Sequence, residues 1–290
     1  TAELPGDFSG GFIKISTKNM PDENSLSLSV GTGINTVTHF KDFSLLQSSS
    51  TEWLGFDRCA RPLSKDFPSH LGSITDPSQI TYYTKTGFNN DWNVKTFRPL
   101  PDLKLNLTWN RKIGDKVGTI LTFGYSNANK TIPDMQNTRY GIYSATADVP
   151  TIEKNYIDNQ FTNEVKINAM NNWSFILDSR NRFEFRNLFS QIGKNRFTER
   201  YGTSTVSGEY YENQTEMLYS SRLSYVGQLA GLHTLDEDMT QTLNWTVDYS
   251  YANKMEPDRR IIKNIGGIPA DKVITPDLPS YNDMINRYDQ

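Results

Sequence analysis

Residues 103–126 alternate strictly between apolar and polar side chains on both sides of a short polar turn. The positions on the apolar side are Leu103, Leu105, Leu107 and Trp109 before the turn, and Val117, Thr119, Leu121, Phe123 and Tyr125 after it. Period-two alternation predicts a β-strand, and two such runs joined by a short turn predict a β-hairpin with one apolar and one polar face. A soluble β-sandwich and a membrane barrel both contain such hairpins, so the recurrence and spacing of the pattern must decide between them.

The pattern recurs in one run before this hairpin and in two hairpins after it. The first run covers residues 25–38, and the later hairpins join 161–175 to 183–190 and 217–229 to 243–251. The sequence thus predicts about seven strands. The run of fourteen residues at 25–38 is long compared with the usual strand of about five or six residues, and it has the length that a tilted barrel strand needs.

Long polar connections and short turns alternate along the chain. The long connections are residues 39–102, 127–160, 192–214 and 252–290. Transmembrane β-barrels have short periplasmic turns and long extracellular loops, whereas loop lengths in a sandwich need not follow strand direction. The pattern therefore predicts a membrane barrel with long extracellular loops.

The positions of charged and aromatic residues agree with this prediction. Charged residues lie at mid-strand on the polar side: Lys166, Glu184, Arg186, Arg222 and Asp248. Such residues are expected beside a water-filled lumen, whereas burying them in a packed core would be costly. Trp109 and Trp173 fall near short turns, while Tyr125, Tyr249 and Tyr251 fall at the opposite strand ends. This placement is typical of two aromatic girdles.

Composition narrows the class of protein further. Hydrophobic residues make up only 36% of the chain and aromatic residues 12%, and the mean hydropathy is -0.60. These values suit a protein whose apolar residues are spread thinly along one face of long strands. No run approaches the roughly 18 apolar residues of a membrane-spanning helix. The net charge of -3, with acids and bases mixed, does not suggest a nucleic-acid partner.

We find no constellation of residues that points to catalysis, a metal or a cofactor. The single cysteine, Cys59, has no histidine near it in sequence, and His39, His70 and His233 are scattered without metal-ligand spacing. The glycine pair at residues 10–11 lacks the spacing of glycines that a phosphate-binding loop requires. We therefore expect a protein that is not an enzyme and that carries no cofactor.

The first long connection, residues 39–102, is the best candidate for ligand contact. Loops longer than about 12–15 residues are usually functional in compact domains. Tryptophan and arginine dominate binding hot spots, and we predict ligand contacts by Trp53, Arg58, Trp92 and Arg98. The alternative is that these side chains stabilise the loop by packing on each other.

Several segments of the chain resemble one family. Residues 5–18, Pro-Gly-Asp-Phe-Ser-Gly-Gly-Phe-Ile-Lys-Ile-Ser-Thr-Lys, resemble the final plug-domain strand of TonB-dependent outer-membrane receptors. Residues 89–92, 100–102, 182–189 and 224–231 are similar to barrel segments of such receptors from Bacteroidetes-type bacteria. The strength of the resemblance lies in the order of these segments, since none is diagnostic alone.

The resemblance implies an all-β fold, an antiparallel transmembrane β-barrel of about 22 strands closed by a plug. Residues 1–18 would be the end of the plug domain, and residues 19–290 the N-terminal part of the barrel. Most of the plug and of the barrel, including the segment that engages TonB, would then lie outside this chain.

The implied function is TonB-energised uptake of a scarce or large ligand across the bacterial outer membrane. Siderophore, haem, cobalamin, glycan and peptide are all candidate ligands. The implied partners are the TonB complex, outer-membrane lipid and, in some branches, a surface lipoprotein that forms a lid.

Two other interpretations remain open. The chain could belong to a passive or structural outer-membrane barrel (a porin, an adhesin or an assembly partner) without active transport. It could also be a soluble extracellular β-sandwich that binds carbohydrate. The sandwich predicts that the alternating Leu, Trp and Phe side chains face a second sheet.

Overall fold

The computed structural model describes most of the chain between residues 20 and 277. The described residues are 20–46, 49–57, 61, 63–68, 70, 72, 74–88, 91–206, 208, 210–238, 240–257, 259–267 and 275–277. The fold is all-β, as the sequence predicts, and consists of one large antiparallel sheet with a small two-stranded sheet on one of its faces. The predicted plug strand at residues 1–18 lies outside the described residues.

The strands, in chain order, are β1 (Ser25–Gly33), β2 (Phe43–Leu46), β3 (Val94–Phe97), β4 (Asp102–Ile113), β5 (Val117–Ser144), β6 (Val149–Ile176), β7 (Asn181–Ser204), β8 (Tyr210–Thr234), β9 (Thr242–Met255), β10 (Arg260–Gly267) and β11 (Thr275–Asp277). One α-helix, α1 (Pro77–Thr86), and a 3₁₀ turn (Glu52–Leu54) lie between β2 and β3. Helix α1, which the sequence analysis did not predict, begins at a polar cap: Asp76 accepts a hydrogen bond from the Ser78 N–H (2.9 Å), and Pro77 opens the first turn.

The large sheet is an antiparallel meander. Its order is β1-β4-β5-β6-β7-β8, after which β9 and β10 both pair with β8, and β11 pairs with β10. Met255 lies opposite Ser221 and Arg260 opposite Met217. Between these two pairs, the segment that joins β9 to β10 has one residue more than the matching segment of β8, as in a β-bulge. β9 and β10 therefore form one interrupted strand along β8. Among the described residues, no strand pairs with the free edge of β1 or of β9, so the sheet is open.

All three predicted hairpins are confirmed, but the strands extend further than predicted. The connections expected at 127–160 and 192–214 consist mostly of strand, because β5 and β6 run to a tight turn at 145–148 and β7 and β8 meet at 205–209. The run at 252–290, which showed no pattern, contains the end of β9 and all of β10 and β11. The first strand ends at Gly33, five residues earlier than predicted.

The alternation of side chains gives the sheet two unlike faces. We call the side that carries the alternating Leu, Trp and Phe residues the apolar face, and the opposite side the polar face. One row across the apolar face pairs residues directly from strand to strand: Leu28, Leu107, Phe123, Ala169, Phe189, Tyr225 and Tyr251. Parallel rows lie on both sides of it. The row nearest the short turns has no polar side chain and consists of Ile113, Val117, Phe175, Phe183, Gly231 and Trp245, whereas the next two rows mix apolar residues with Arg111, Thr119, Asn171 and Asn187.

The buried core lies where residues 43–46 and 49–57, which we call the strap, cover the apolar face beyond these rows. Phe43, Leu45 and Leu46 of the strap pack against Phe197 and Met217 of the sheet. Gln191 Nε2 donates a hydrogen bond to the Gly55 carbonyl, and Asn195 Nδ2 donates to Glu52 Oε2 at 3.1 Å. The first long connection is therefore a packed substructure instead of the irregular stretch expected from its sequence.

A buried arginine completes the attachment of the strap. Arg61 Nη1 lies 2.9 Å from Glu52 Oε1 and 3.3 Å from Asp57 Oδ2. Its guanidinium group stacks over the ring of Tyr219, 4.7 Å from the ring centre. The apolar interactions of the strap are thus supplemented by a paired charge that is held against an aromatic ring of the sheet.

Candidate functional site

A cluster of charged and aromatic side chains lies on the polar face, far from the short turns. Asp158 is opposite Arg200, and Tyr156 and Glu212 are both opposite Gly202 on neighbouring strands. Lys263 follows on β10, where it pairs with Gln214. Because these positions share one side of the pleat, four strands contribute to a single polar surface, which we call the charged cluster.

The groups of the charged cluster satisfy each other by ionic hydrogen bonds. Arg200 donates to Asp158 through Nε and Nη2, each at 2.7 Å, and Asn137 donates to the same carboxylate at 3.2 Å. Tyr156 donates from its hydroxyl to Glu212 Oε2 at 2.8 Å, and Lys263 Nζ lies 3.2 Å from that oxygen. The result is a rigid surface that presents charge and aromatic rings together.

These contacts shift two pKa values. Burial acts to raise the pKa of Asp158, but the hydrogen bonds from Arg200 and Asn137 and the charge of Arg200 outweigh it, so the pKa lies below its ordinary value. Burial and the hydrogen bond to Glu212 raise the pKa of Tyr156 to about 12. Both groups therefore keep one protonation state through neutral pH, and neither is suited to proton transfer there.

A groove on the opposite, apolar face is bordered by the strap. Its volume is about 660 Å³, and its lining includes Trp53 and Phe97 beside Asn127, Asn129 and Asn163. Trp53 is 58% exposed, and its backbone carbonyl accepts a hydrogen bond from the Tyr125 hydroxyl at 3.0 Å. The volume and the mixture of aromatic and amide groups are those of a binding site for a small molecule.

A smaller cavity of about 410 Å³ adjoins this groove. It shares Phe97, Asn127 and Asn129 with the groove and adds Arg98, with Leu100 and Leu103, to its lining. Arg98 is exposed and its Nε donates to Asp42 Oδ1 at 3.2 Å. The two cavities are therefore neighbours, and the lining of each mixes polar and apolar side chains.

The structure brings together two of the four residues predicted to contact ligand. Trp53 and Arg98 border the adjoining cavities, whereas Trp92 lies elsewhere, under the guanidinium of Arg260 at 4.6 Å from the ring centre. Arg58 lies outside the described residues. The ligand contacts themselves remain predictions.

Sequence reasoning missed the charged cluster and the asparagine side of the groove. Both lie on parts of β5–β8 that were interpreted as loops, where polar residues occupy both faces and the hydrophobic period fades. A signal was available at residues 154–158, where Lys154, Tyr156 and Asp158 occupy alternate positions. Polar alternation of this kind indicates a strand whose two faces are both wet or paired.

Among the remaining candidates for chemistry, His39 has a structural role, and Cys59 lies outside the described residues. His39 Nδ1 accepts a hydrogen bond from the Asn35 N–H (2.7 Å), which leaves Nε2 to donate to Asp102 Oδ1 at 3.1 Å. This buried histidine ties the end of β1 to the start of β4. In the described part of the chain, no three metal-ligating side chains form a group that could hold an ion. None of the described helices has the length and apolar character required to span a membrane.

Comparison of the chain with protein-family models, with characterised proteins and with solved structures gives no match.

Proposed function

We propose that the chain forms part of the wall of an outer-membrane β-barrel receptor that imports a scarce or large ligand with energy from TonB. One observation supports this proposal more than any other. Large apolar side chains of the rows across the apolar face remain exposed in the folded chain: Leu28 at 68% and Val247 at 63% on the edge strands, and Phe185 and Leu229 each at 43% between them. A contiguous apolar surface of this kind marks contact with a protein or a membrane.

The dimensions of this apolar band suit a bilayer. Five successive rows occupy the band, and on β5 they run from Val117 to Tyr125. At roughly 3.3 Å per residue this path is about 27 Å long, and a strand tilt of about 40° reduces its height to roughly 20 Å, close to the band of about 25 Å in transmembrane barrels. Phe175, Phe183 and Trp245 lie in the row nearest the short turns, and Tyr125 lies in the row at the other margin.

The polar face supports the role of a hydrated lumen wall. At mid-strand, Gln228 donates to Asp248 at 2.6 Å and also bonds Arg186. Ser190 and Asn168 form a further cross-strand hydrogen bond of 2.8 Å. Such ladders of polar side chains are stable beside water and costly in an apolar interior.

The path of the chain before β1 also supports a plugged barrel. β1 begins at the end of the sheet that carries the short turns, because Ser25 pairs with Asn110. Just before it, Met20 and Pro21 lie against Gly118 on the polar face, where an added Cβ would meet Pro21 Cδ at 2.7 Å. Met20 and Pro21, the described residues just before β1, thus lie on the face that the proposal assigns to the lumen.

In this proposal, the charged cluster lies above the membrane on the extracellular side. Ligand would meet its aromatic and charged side chains before passing the plug, and energy from TonB would rearrange the plug to open a path. The coupling step and a possible lipoprotein lid come from the resemblance described above.

Two measurements test the proposed function. Membrane fractionation should place the protein in the outer membrane, with a detergent requirement and a heat-dependent electrophoretic mobility. A protein that is soluble without detergent would refute the barrel and favour the sandwich. Ligand uptake should then stop when TonB is deleted, whereas uptake that continues would favour the passive barrel.

A further inference from the structure

We propose that the groove beside the strap binds the headgroup of an outer-leaflet glycolipid that carries sugar and phosphate, with its acyl chains on the apolar band. This inference rests on the proposed function, because the groove meets lipid only if the apolar face does. It adds a ligand site on the outside of the barrel wall, separate from the path of an imported ligand.

The position of the groove provides the first argument. Its lining residues Asn127 and Asn129 follow Tyr125 on the apolar side of β5, immediately beyond the last row of the band. The smaller cavity continues to Leu100 and Leu103, which are 73% and 40% exposed. Leu103 lies opposite Asn127 and Leu105 opposite Tyr125, so both cavities adjoin the margin of the band. A headgroup in the groove would therefore leave its acyl chains beside the exposed side chains of the band.

The chemistry of the polar end provides the second argument. Asn163 Nδ2 donates to the side-chain oxygens of Asn127 (2.8 Å) and Asn129 (2.9 Å). The side-chain NH₂ groups of these two residues remain as donors, for which no acceptor occurs among the described residues. Amides present both donors and acceptors, which matches the dual character of sugar hydroxyls. The exposed ring of Trp53 offers an apolar surface on which a sugar ring can lie.

A cation in the groove favours a phosphorylated headgroup. Lys95 lines the groove and has no acidic partner among the described residues. The acidic residue in the lining, Glu52, is committed to Arg61 and Asn195 at 2.9 Å and 3.1 Å. The unbalanced charge available to a ligand is therefore positive, and a lysine ammonium group binds phosphate as a point charge.

The test compares lipids that separate sugar from charge. The protein, purified from membranes, is placed in nanodiscs of phosphatidylcholine doped with lipid A, with phosphatidylglycerol or with a neutral glycolipid, and the bound lipid is measured by native mass spectrometry. We expect selective retention of lipid A. Equal retention of phosphatidylcholine and lipid A would overturn the proposal, and so would equal affinity for the acyl-free headgroup, since the groove would then be a site for free saccharide.

Three variants locate the site. Trp53→Ala should lower affinity for lipid A about tenfold, as expected for an aromatic hot spot, and the main-chain bond to Tyr125 is retained in this variant. Lys95→Gln should weaken the binding of lipid A but not the binding of the neutral glycolipid. Phe56→Ala lies on the same strap but outside the lining of the groove. This variant is the matched control and should change the affinity for neither lipid. Unchanged affinity in Trp53→Ala would overturn the proposal.

Failure of the inference is distinguishable from failure of the proposed function. Heat-dependent mobility is recorded on the same samples as lipid retention. A wild-type protein that never inserts refutes the barrel, whereas normal insertion with indiscriminate lipid retention refutes the glycolipid site alone.

Discussion

The carboxylate of Asp158 on β6 accepts two hydrogen bonds from the guanidinium of Arg200 on β7, directly opposite, each 2.7 Å long. Asp158 is 2% exposed. The same guanidinium lies 5.2 Å from the ring centre of Tyr156. This pair lies on the polar face, far beyond the apolar band, where few apolar contacts join the strands. We therefore regard the ion pair as a clamp between the long strands β6 and β7.

Breaking the clamp should loosen the strand extensions locally. Asp158→Asn leaves the partly buried Arg200 without its counter-ion, and we expect a loss of about 2 kcal/mol in local stability. Hydrogen exchange of the amides at 154–160 and 198–204 measures the effect. Asp42→Asn, which removes an exposed partner of Arg98, is the control and should change nothing measurable. Unchanged exchange in Asp158→Asn would contradict the role of a clamp.

The clamp should also be sensitive to acid. Burial acts to raise the pKa of Asp158, but the hydrogen bonds from Arg200 and Asn137 and the charge of Arg200 together hold it below its ordinary value of 3.8. A depressed pKa contributes stability that is complete above the ordinary pKa and is lost as the pH falls through the folded value. Amide exchange at 154–160 should therefore accelerate below about pH 4, and Asp158→Asn should show no such step.

The raised pKa of Tyr156 predicts a loss of stability at alkaline pH. Its pKa is raised to about 12, so the stability that its protonated form contributes is complete below about pH 10 and is lost as the pH rises through 12. Phenolate absorbance should show a late titration step near pH 12 that disappears in Tyr156→Phe. Tyr140→Phe, at an exposed position near the hairpin turn, should leave that step in place.

The hairpins could be predicted because their apolar residues keep a strict period of two. Leu121 and Phe123 alternate with Thr122 and Gly124, and pairing follows directly from this pattern. Beyond the band, the pattern fades, since residues such as Asn127 and Asn163 pair by side-chain amides instead of by apolar contact. The strand ends at 127–144 and 149–160 were therefore missed.

The position of the strap could not be predicted from local sequence. Its attachment depends on pairs far apart in the chain, such as Glu52 with Asn195 and Gly55 with Gln191. No periodicity connects such residues. Sequence reasoning could mark Trp53 and Trp92 as binding-type side chains, but only the fold shows that they lie in different places on the apolar face.

The assignment of faces can be tested by two adjacent substitutions. Leu121 lies on the apolar face opposite Trp109, and Thr122 lies on the polar face opposite Thr108. Leu121→Arg should prevent membrane assembly at a cost of about 2–4 kcal/mol near the bilayer midplane, whereas Thr122→Arg should be tolerated. The fraction of protein with heat-dependent mobility measures assembly. Equal tolerance of both arginines would refute the assignment of the apolar face to lipid.

The contact between Gly55 and Gly193 predicts that the strap can be detached without unfolding the sheet. A Cβ on Gly193 would lie 2.5 Å from Gly55 Cα, a backbone atom that cannot rotate away. Gly193→Ala should therefore displace the strap at a cost of about 1–3 kcal/mol and expose it to proteolysis, while heat-dependent mobility persists. Gly31→Ala places its Cβ at an ordinary 3.6 Å from Lys104 Cβ and serves as the control. If the strap of Gly193→Ala resists protease as the wild type does, this close approach does not govern its attachment.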